Sequence, residues 1–399
     1  MLLPPYAIMV LILGALAALA PISIDIYLPA FSSIEKSFQT TPHLVQITLG
    51  FYMVTYAVTT LFHGTLSDSF GRRKVIIGSL ILYLVASIVC SLAPSIHWLI
   101  FGRVLQGLSA GAGRVVGQAI VADCYKGAQA QKTMSYIVMV FGVSPALAPI
   151  IGGYLAAGLG WRAIFVFLAI FSGLLMMMSW RYLPETLALK QKQPFKLSSL
   201  LNNYWKICSH RKFLVLSLSF ATFYAGYGFV IGSAPDFIMN VLGLPETKFG
   251  YLFVPLVTGM VGGALIASRL ASFVSGKNLM MAGITIMIAS CITNVIYVMC
   301  FELVLPFAVI FYALFSFGMA IASPAMTLKI LALQPEMTGM AASVLGFMQA
   351  FFFSIMAGFA TPLIFGSGLK MAIAVAFFAV LGSVGWVKGQ KINSKAAQE

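Results

Sequence analysis

One carboxylate stands well inside an apolar run of this chain: Asp25, in Ser23-Ile24-Asp25-Ile26-Tyr27-Leu28-Pro29-Ala30. Two guanidiniums stand inside another run, Arg103 and Arg114, about three helical turns apart on one face. An ionisable group among apolar side chains is costly unless it finds a partner or water, so such groups mark places where protons or ligands are handled. Burial and a neighbouring cation pull a carboxyl group's proton affinity in opposite directions, and a proton site that cycles needs that balance. A carboxylate solvated at the outer end of its helix is the other reading of Asp25.

Two further strings could act mechanically. Gly64-Thr65-Leu66-Ser67-Asp68-Ser69-Phe70-Gly71-Arg72-Arg73-Lys74 sets one carboxylate and three cations in a tight, glycine-bounded turn. Such a turn can cap one helix and clamp the acidic C-terminal end of another, or it can serve only as a basic anchor. Gly142-Val143-Ser144-Pro145-Ala146-Leu147-Ala148-Pro149-Ile150-Ile151-Gly152-Gly153 mixes prolines with small residues. Inside a helix this gives a bendable surface that neighbours approach closely.

The elements that must position these residues follow from composition. Of 399 residues, 60% are apolar and 9% charged, with a mean hydropathy of +0.98, so the solvent for most of the chain is lipid. Runs of about 20 apolar residues are needed to cross a bilayer. Twelve occur, at about Tyr6–Ala30, Leu44–Leu66, Val75–Leu92, Trp98–Ala122, Met134–Ala157, Ala163–Leu183, Phe213–Ile238, Phe249–Leu270, Leu279–Phe301, Leu303–Leu328, Gly339–Leu363 and Lys370–Val387. They leave no room for a soluble catalytic domain. The opening segment has no basic leader, and its helical pattern continues to Asp25 and Tyr27, so it reads as the first span.

Between the runs, eighteen Lys and Arg residues fall on one side and four on the other, which predicts both termini in the cytoplasm. The net charge of +14 is then a topology signal that also attracts anionic lipid, and no basic run with interleaved aromatics suggests nucleic acid. The longest polar stretch divides the chain into an N-terminal bundle, 1–183, a linker, 184–212, and a C-terminal bundle with a short tail, 213–399. Within the linker, Leu197–Cys208 has the spacing of an amphipathic helix on the cytoplasmic membrane surface. Two six-helix halves joined in this way are the layout of parallel repeats in a secondary transporter. The five cysteines imply packing and no disulfide framework. No phosphate loop and no His-Glu-x-x-His metal motif occurs, so an ATP-driven pump, a membrane enzyme, a metal site and a cofactor are not expected.

The Gly64–Lys74 string closely resembles the signature loop of the major facilitator superfamily, and Arg103-Val104-Leu105-Gln106-Gly107 is similar to its Arg-x-x-Gln-Gly motif. The proline string in the fifth span resembles the antiporter signature of its drug exporters, with Ala148 where Gly is usual. The Asp25 string, Ser233-Ala234-Pro235 and Gly339-Met340-Ala341-Ala342-Ser343-Val344-Leu345-Gly346 resemble the bicyclomycin-resistance (Bcr/CflA) type of drug:proton antiporter. Arg114 departs from that pattern, which usually has an apolar residue there. The resemblance implies an all-α major facilitator fold of twelve helices in two six-helix bundles, with a cavity lined by spans one, four, seven and ten.

The resemblance also implies a gate of Gly64, Asp68, Gly71, Arg72 and Arg73, in which Asp123, at the end of span four, is the acid to pair with Arg72. Pro145, Pro149, Gly152 and Gly153 form the antiporter-motif helix. Asp25 and Arg103 sit at matching depths, each about 10 Å outward of the midplane, and are expected to meet as a proton-coupling pair. Tyr27, Tyr52, Tyr56, Gln106, Arg114, Tyr224 and Tyr227 are expected around the substrate. The function expected is proton-driven export of small molecules from a bacterial inner membrane, by a monomer using the proton gradient and no cofactor. Export of an anionic metabolite such as a carboxylate siderophore, and proton-coupled uptake, are the alternatives.

Overall fold

The apolar runs fold as helices because lipid offers no hydrogen bonds and each span must satisfy its own backbone. The structure is a computed structural model that describes residues 5–187, 197–270 and 273–392. Its helices are α1 (Tyr6–Asp25), α2 (Phe31–Phe38), α3 (Pro42–Phe70), α4 (Arg72–Ser91), α5 (Ile96–Cys124), α6 (Gly127–Leu159), α7 (Arg162–Tyr182) and α8 (Leu197–Ser209). There follow α9 (Arg211–Gly232), the single turn α10 (Ala234–Asp236), α11 (Gly250–Leu270), α12 (Gly276–Cys300), α13 (Phe307–Leu331), α14 (Thr338–Ile355) and α15 (Gly368–Lys391). Side chains start several of them: Thr41 accepts from Leu44 N, His210 from Phe213 N, Ser275 from Asn278 N and Ser367 from Lys370 N.

Eleven elements among the described residues are long and apolar enough to cross a membrane. The twelfth span is α5, as long as α3 but too polar to qualify by composition, because it carries Arg103, Gln106, Arg114, Gln118 and Asp123. The protein is an all-α membrane protein of twelve spans. The first span differs from the expected Tyr6–Ala30: α1 stops at Asp25, a turn and a 3-10 segment (Leu28–Ala30) follow, and α2 carries the span to Phe38. Pro29 cannot donate to the preceding turn, and the break falls just ahead of it.

The chain divides into two compact units, Met1–Phe195 with Glu246–Lys248, and Lys196–Pro245 with Phe249–Glu399. Of the expected linker, 184–187 and 197–212 are described, and Lys190, Lys192 and Lys196 lie outside the described residues, as does Lys395 of the tail. In the first unit α1 packs on α6, α3 on α5, and α4 on both α5 and α7. The second unit repeats the pattern: α9 packs on α14, α11 on α13, and α12 on both α13 and α15. The same pairings in the same chain order are what parallel internal repeats produce. Large apolar side chains such as Leu92, Leu159, Trp180, Met299 and Leu328 are exposed, as lipid-facing residues must be. All five cysteines are free.

Close helix approach is visible at two glycines. A Cβ on Gly107 of α5 would stand 2.3 Å from the Tyr52 carbonyl of α3, and one on Gly152 of α6 would stand 2.1 Å from the Ile26 carbonyl. Only glycine allows the backbones so near. α6 runs unbroken through Pro145 and Pro149, and Gly153 lies against the Glu246 carbonyl.

Candidate functional site

Four spans of the first unit, those of α1, α3, α4 and α5, meet around Arg103 of α5. The guanidinium is fully buried and lies over the Tyr27 ring at 4.5 Å and the Tyr52 ring at 4.2 Å. Its Nη1 donates to the Ser23 carbonyl at 3.3 Å and to Gln106 Oε1 at 2.9 Å. Gln106 Nε2 donates to Ser87 Oγ at 2.8 Å, and Ser87 Oγ also donates to the Tyr83 carbonyl. Tyr83 and Ser23 share a hydrogen bond, as do Tyr27 and Thr48 at 2.7 Å, and Tyr52 donates to the Ala20 carbonyl at 3.1 Å. Cation–π contact and charge-assisted hydrogen bonds together hold a cation that apolar surroundings alone would expel. Nε and Nη2 of Arg103 nevertheless have no partner among the described residues.

Asp25 is the last residue of α1, 4% exposed, directly before the break. Neither of its oxygens accepts a hydrogen bond or forms an ion pair among the described residues. The expected contact between Asp25 and Arg103 is therefore not made. Depth arithmetic put them at one height, but Arg103 turns to the Ser23 carbonyl and the two aromatic faces. Asp236, in the turn that follows α9, is buried at 8% exposure. It accepts from Gly366 N at 2.7 Å and Asn240 Nδ2 at 2.9 Å.

Of the residues expected around a substrate, Tyr27, Tyr52 and Gln106 are buried in the Arg103 cluster, where they enclose the cation and do not line an open cavity. Tyr56 is half-buried. Arg114 is exposed and stacks on Phe141 of α6 at 4.6 Å, with no ion pair among the described residues. In the second unit Tyr224 and Tyr227 are half-buried against Phe220 and Phe353. Ser23, Tyr83, Ser87 and Thr48 were missed in the sequence. Their signal is a hydroxyl inside an apolar run, with Tyr83 and Ser87 one turn apart.

The loop between α3 and α4 forms a second constellation. Arg72 pairs with Asp68 of α3 and, at 3.3 Å, with Asp123 at the end of α5. Thr186 donates to Asp123 at 2.7 Å, and Arg73 donates to the Trp180 carbonyl of α7. The carboxylate that caps α4 is Glu185, which accepts from Arg72 N at 2.9 Å. Gly71 has φ +107°, and a Cβ there would stand 2.5 Å from Glu185 Oε2, so the turn requires glycine twice over. Gly64 is less constrained, with only a Val115 methyl within reach, at 3.7 Å. These bonds tie α3, α4, α5 and the end of α7 together inside the first unit.

Twelve spans in two repeated units, with ionic chemistry inside the bundle and a clasp at its end, define a multi-pass membrane transporter. The sequence model of the Major Facilitator Superfamily matches residues 13–362, and the chain belongs to that family. It is 29% identical over 284 residues to a bicyclomycin resistance protein homolog of Haemophilus influenzae, covering 71% of each chain. It is 30% identical over 264 residues to multidrug resistance protein D of Escherichia coli, covering 65% of each. With citrate exporter 1 of Aspergillus niger it shares 26% over 297 residues, 66% of this chain and 57% of that one. A solved bacterial homolog of the human lysosomal transporter Spinster superposes with a TM-score of 0.79 at 17% identity, covering 98% of both chains, and shares the fold. The chain is a transporter, not an enzyme, and drug-resistance proteins stand among its relatives.

Proposed function

We propose that this chain exports small molecules from a bacterial cytoplasm across the inner membrane in exchange for protons, as a monomer with both termini inside. The observation that carries the reading is Asp25, a buried carboxylate at the break in the first span with no partner among the described residues. A carboxylate left unsatisfied inside a bundle is costly, and such groups persist where function uses them. Asp25 takes up and releases the proton, and the Arg103 cluster sets the local field. The loop clasp around Arg72 holds one conformational state, and α6 with Pro145, Pro149, Gly152 and Gly153 supplies the close-packed surface that moves. Resistance proteins among the relatives support export over uptake.

The test is transport in reconstituted vesicles with an imposed proton gradient. Export requires substrate to move against the proton flow, and Asp25→Asn, which keeps volume but cannot titrate, should stop it. Movement of substrate with the protons would reassign the chain to uptake, and undiminished proton-driven transport by Asp25→Asn would remove Asp25 from the mechanism.

A second reading concerns the cargo. Two guanidiniums, Arg103 with unpartnered Nε and Nη2 and the exposed Arg114, stand against one buried carboxylate, Asp25, among the described residues of the first unit. An anionic or carboxylate-bearing compound can pair with a guanidinium fork, whereas a lone cation is repelled. A citrate exporter among the relatives accords with this.

A further inference from the structure

An elongated groove of about 890 Å³ runs along the first unit between α1, α6 and α7, lined by Ile22 of α1 and Ile26 just beyond it, and not by Ser23 or Tyr27 of the Arg103 cluster. Its walls include Leu11 and Ile22 of α1, Met139 and Leu147 of α6, and Phe167 and Phe171 of α7. Leu11, Met139 and Leu147 are each more than half exposed. Of the hydroxyls that reach it, Tyr6 shares a hydrogen bond with Thr133 and Ser144 donates to the Val140 carbonyl, while Tyr136 stands at the same end as Tyr6. Along the rest of its length the groove offers hydrocarbon contact.

Its length argues for the shape of the occupant. From Tyr136 to Ile151 along α6 is roughly 22 Å at 1.5 Å per residue, longer than one leaflet's share of a hydrocarbon core about 30 Å thick. An extended acyl chain fits this better than a compact molecule. The ends of the groove differ in charge. At the end nearer the N-terminus of the chain, Tyr6 and Tyr136 line it, and Lys132, exposed one turn before Tyr136, holds its ammonium 6.0 Å from that ring. Lys126, also exposed, precedes the first residue of α6. No acidic residue lies between Lys126 and Tyr136 to offset these cations.

We infer that this groove is a binding site for an anionic phospholipid of the leaflet on the side of the chain termini. One acyl chain lies between α1 and α6, and the phosphate faces Lys132 and Lys126. Lysines at the membrane surface attract anionic headgroups, and the apolar trough converts that attraction into a fixed position.

The test uses purified full-length protein in nanodiscs of phosphatidylethanolamine containing a minor fraction of phosphatidylglycerol with a photoreactive diazirine on one acyl chain. After illumination, peptide mapping should show adducts concentrated on α6 around Met139–Leu147 and on α1 around Leu11, above those on the exposed faces of α12 and α15. Filling the trough with Met139→Trp and Leu147→Trp should remove that excess. Lys132→Gln, on an exposed side chain that cannot threaten folding, should make phosphatidylglycerol and phosphatidylethanolamine probes label equally. Uniform labelling of all exposed helices would show only annular lipid and overturn the site. So would equal labelling by both probes in the wild type, or displacement of the probe by a neutral apolar compound at equal concentration. Transport is not a readout, so failure here leaves the proton-exchange reading untouched.

Discussion

Asp236 and Asp25 both lie where the first span of a unit breaks at a proline, Pro235 in one and Pro29 in the other, and both are buried. Asp236 is closed: Gly366 N and Asn240 Nδ2 donate to its two oxygens. Asp25 accepts nothing among the described residues. The surroundings differ in the same sense. α5 carries Arg103 near its start, boxed in by Tyr27 and Tyr52, while α13 carries Tyr312 near its start, set edge-on to Phe237. One scaffold, used twice, holds a finished structural clasp in the second unit and an unfinished ionic site in the first. A hydrogen bond to a charged group contributes about 1.5–3 kcal/mol, so leaving Asp25 without one sacrifices stability that Asp236 retains.

That contrast predicts opposite phenotypes. Asp25→Asn should lower proton-driven transport by about 100-fold or more, the scale of losing a positioned proton-transfer group. Its thermal midpoint in detergent should stay at the wild-type value, because no bond is lost. Asp236→Ala strands two donors and should cost about 3 kcal/mol of stability, with transport per folded molecule preserved. A stable Asp236→Ala protein that no longer couples to protons would break the comparison and place a second proton site in the second unit.

The ends of the units differ as well. The loop after α3 is held by Asp68, Arg72, Asp123 and Glu185, whereas the corresponding stretch between α11 and α12 carries Lys277 and has no carboxylate up to Glu302. Gly71→Ala forces a side chain into a backbone region that is nearly glycine's alone and against Glu185, and should cost roughly 1–3 kcal/mol. Gly78→Ala, with open space around it, should change stability little and serves as the control. Arg72→Ala removes partly exposed ion pairs worth only about 1 kcal/mol. Its larger signature should be faster thiol labelling of single cysteines placed along α3 and α5 toward the clasp. Unchanged labelling would reduce the loop to a topology anchor.

These residues also show what a sequence can and cannot carry. Twelve spans were legible because lipid imposes length and apolarity on each one separately. The Arg72 and Asp123 contact was legible because the resemblance makes the loop a gate at the same membrane surface as the end of the fourth span, where Asp123 is the nearby acid. Asp25 and Arg103 were found as residues, yet height along a helix says nothing about which way a long guanidinium turns. That direction is set by Tyr27, Tyr52, Ser23 and Gln106 on three spans. Glu185 as the cap of α4 was hidden for the same reason, being 113 residues away from the amide it accepts. The break after Asp25 had a visible signal in Pro29, but a helix pattern running to Ala30 concealed the continuation to Phe38.

The smallest expected effect concerns charge selection, and it sharpens the contrast between a first unit that buries a guanidinium and a second in which no Lys or Arg is buried among the described residues. Arg114 is exposed and rests on Phe141, a contact worth about 0.5–1 kcal/mol, so Arg114→Met should leave folding nearly intact. Its guanidinium is also a positive charge without an ion pair among the described residues. An exposed charge a few ångströms from a ligand contributes about 1 kcal/mol in water-like surroundings, a several-fold change in affinity. Matched anionic and cationic compounds measured on wild type and Arg114→Met should therefore show a several-fold anion preference that the variant loses. Arg103, fully buried and held on both faces, should retain part of that preference in the variant. If the wild type prefers the cations and the variant is indifferent to charge, the first unit's guanidiniums do not select the cargo, and their role is confined to the field around Asp25.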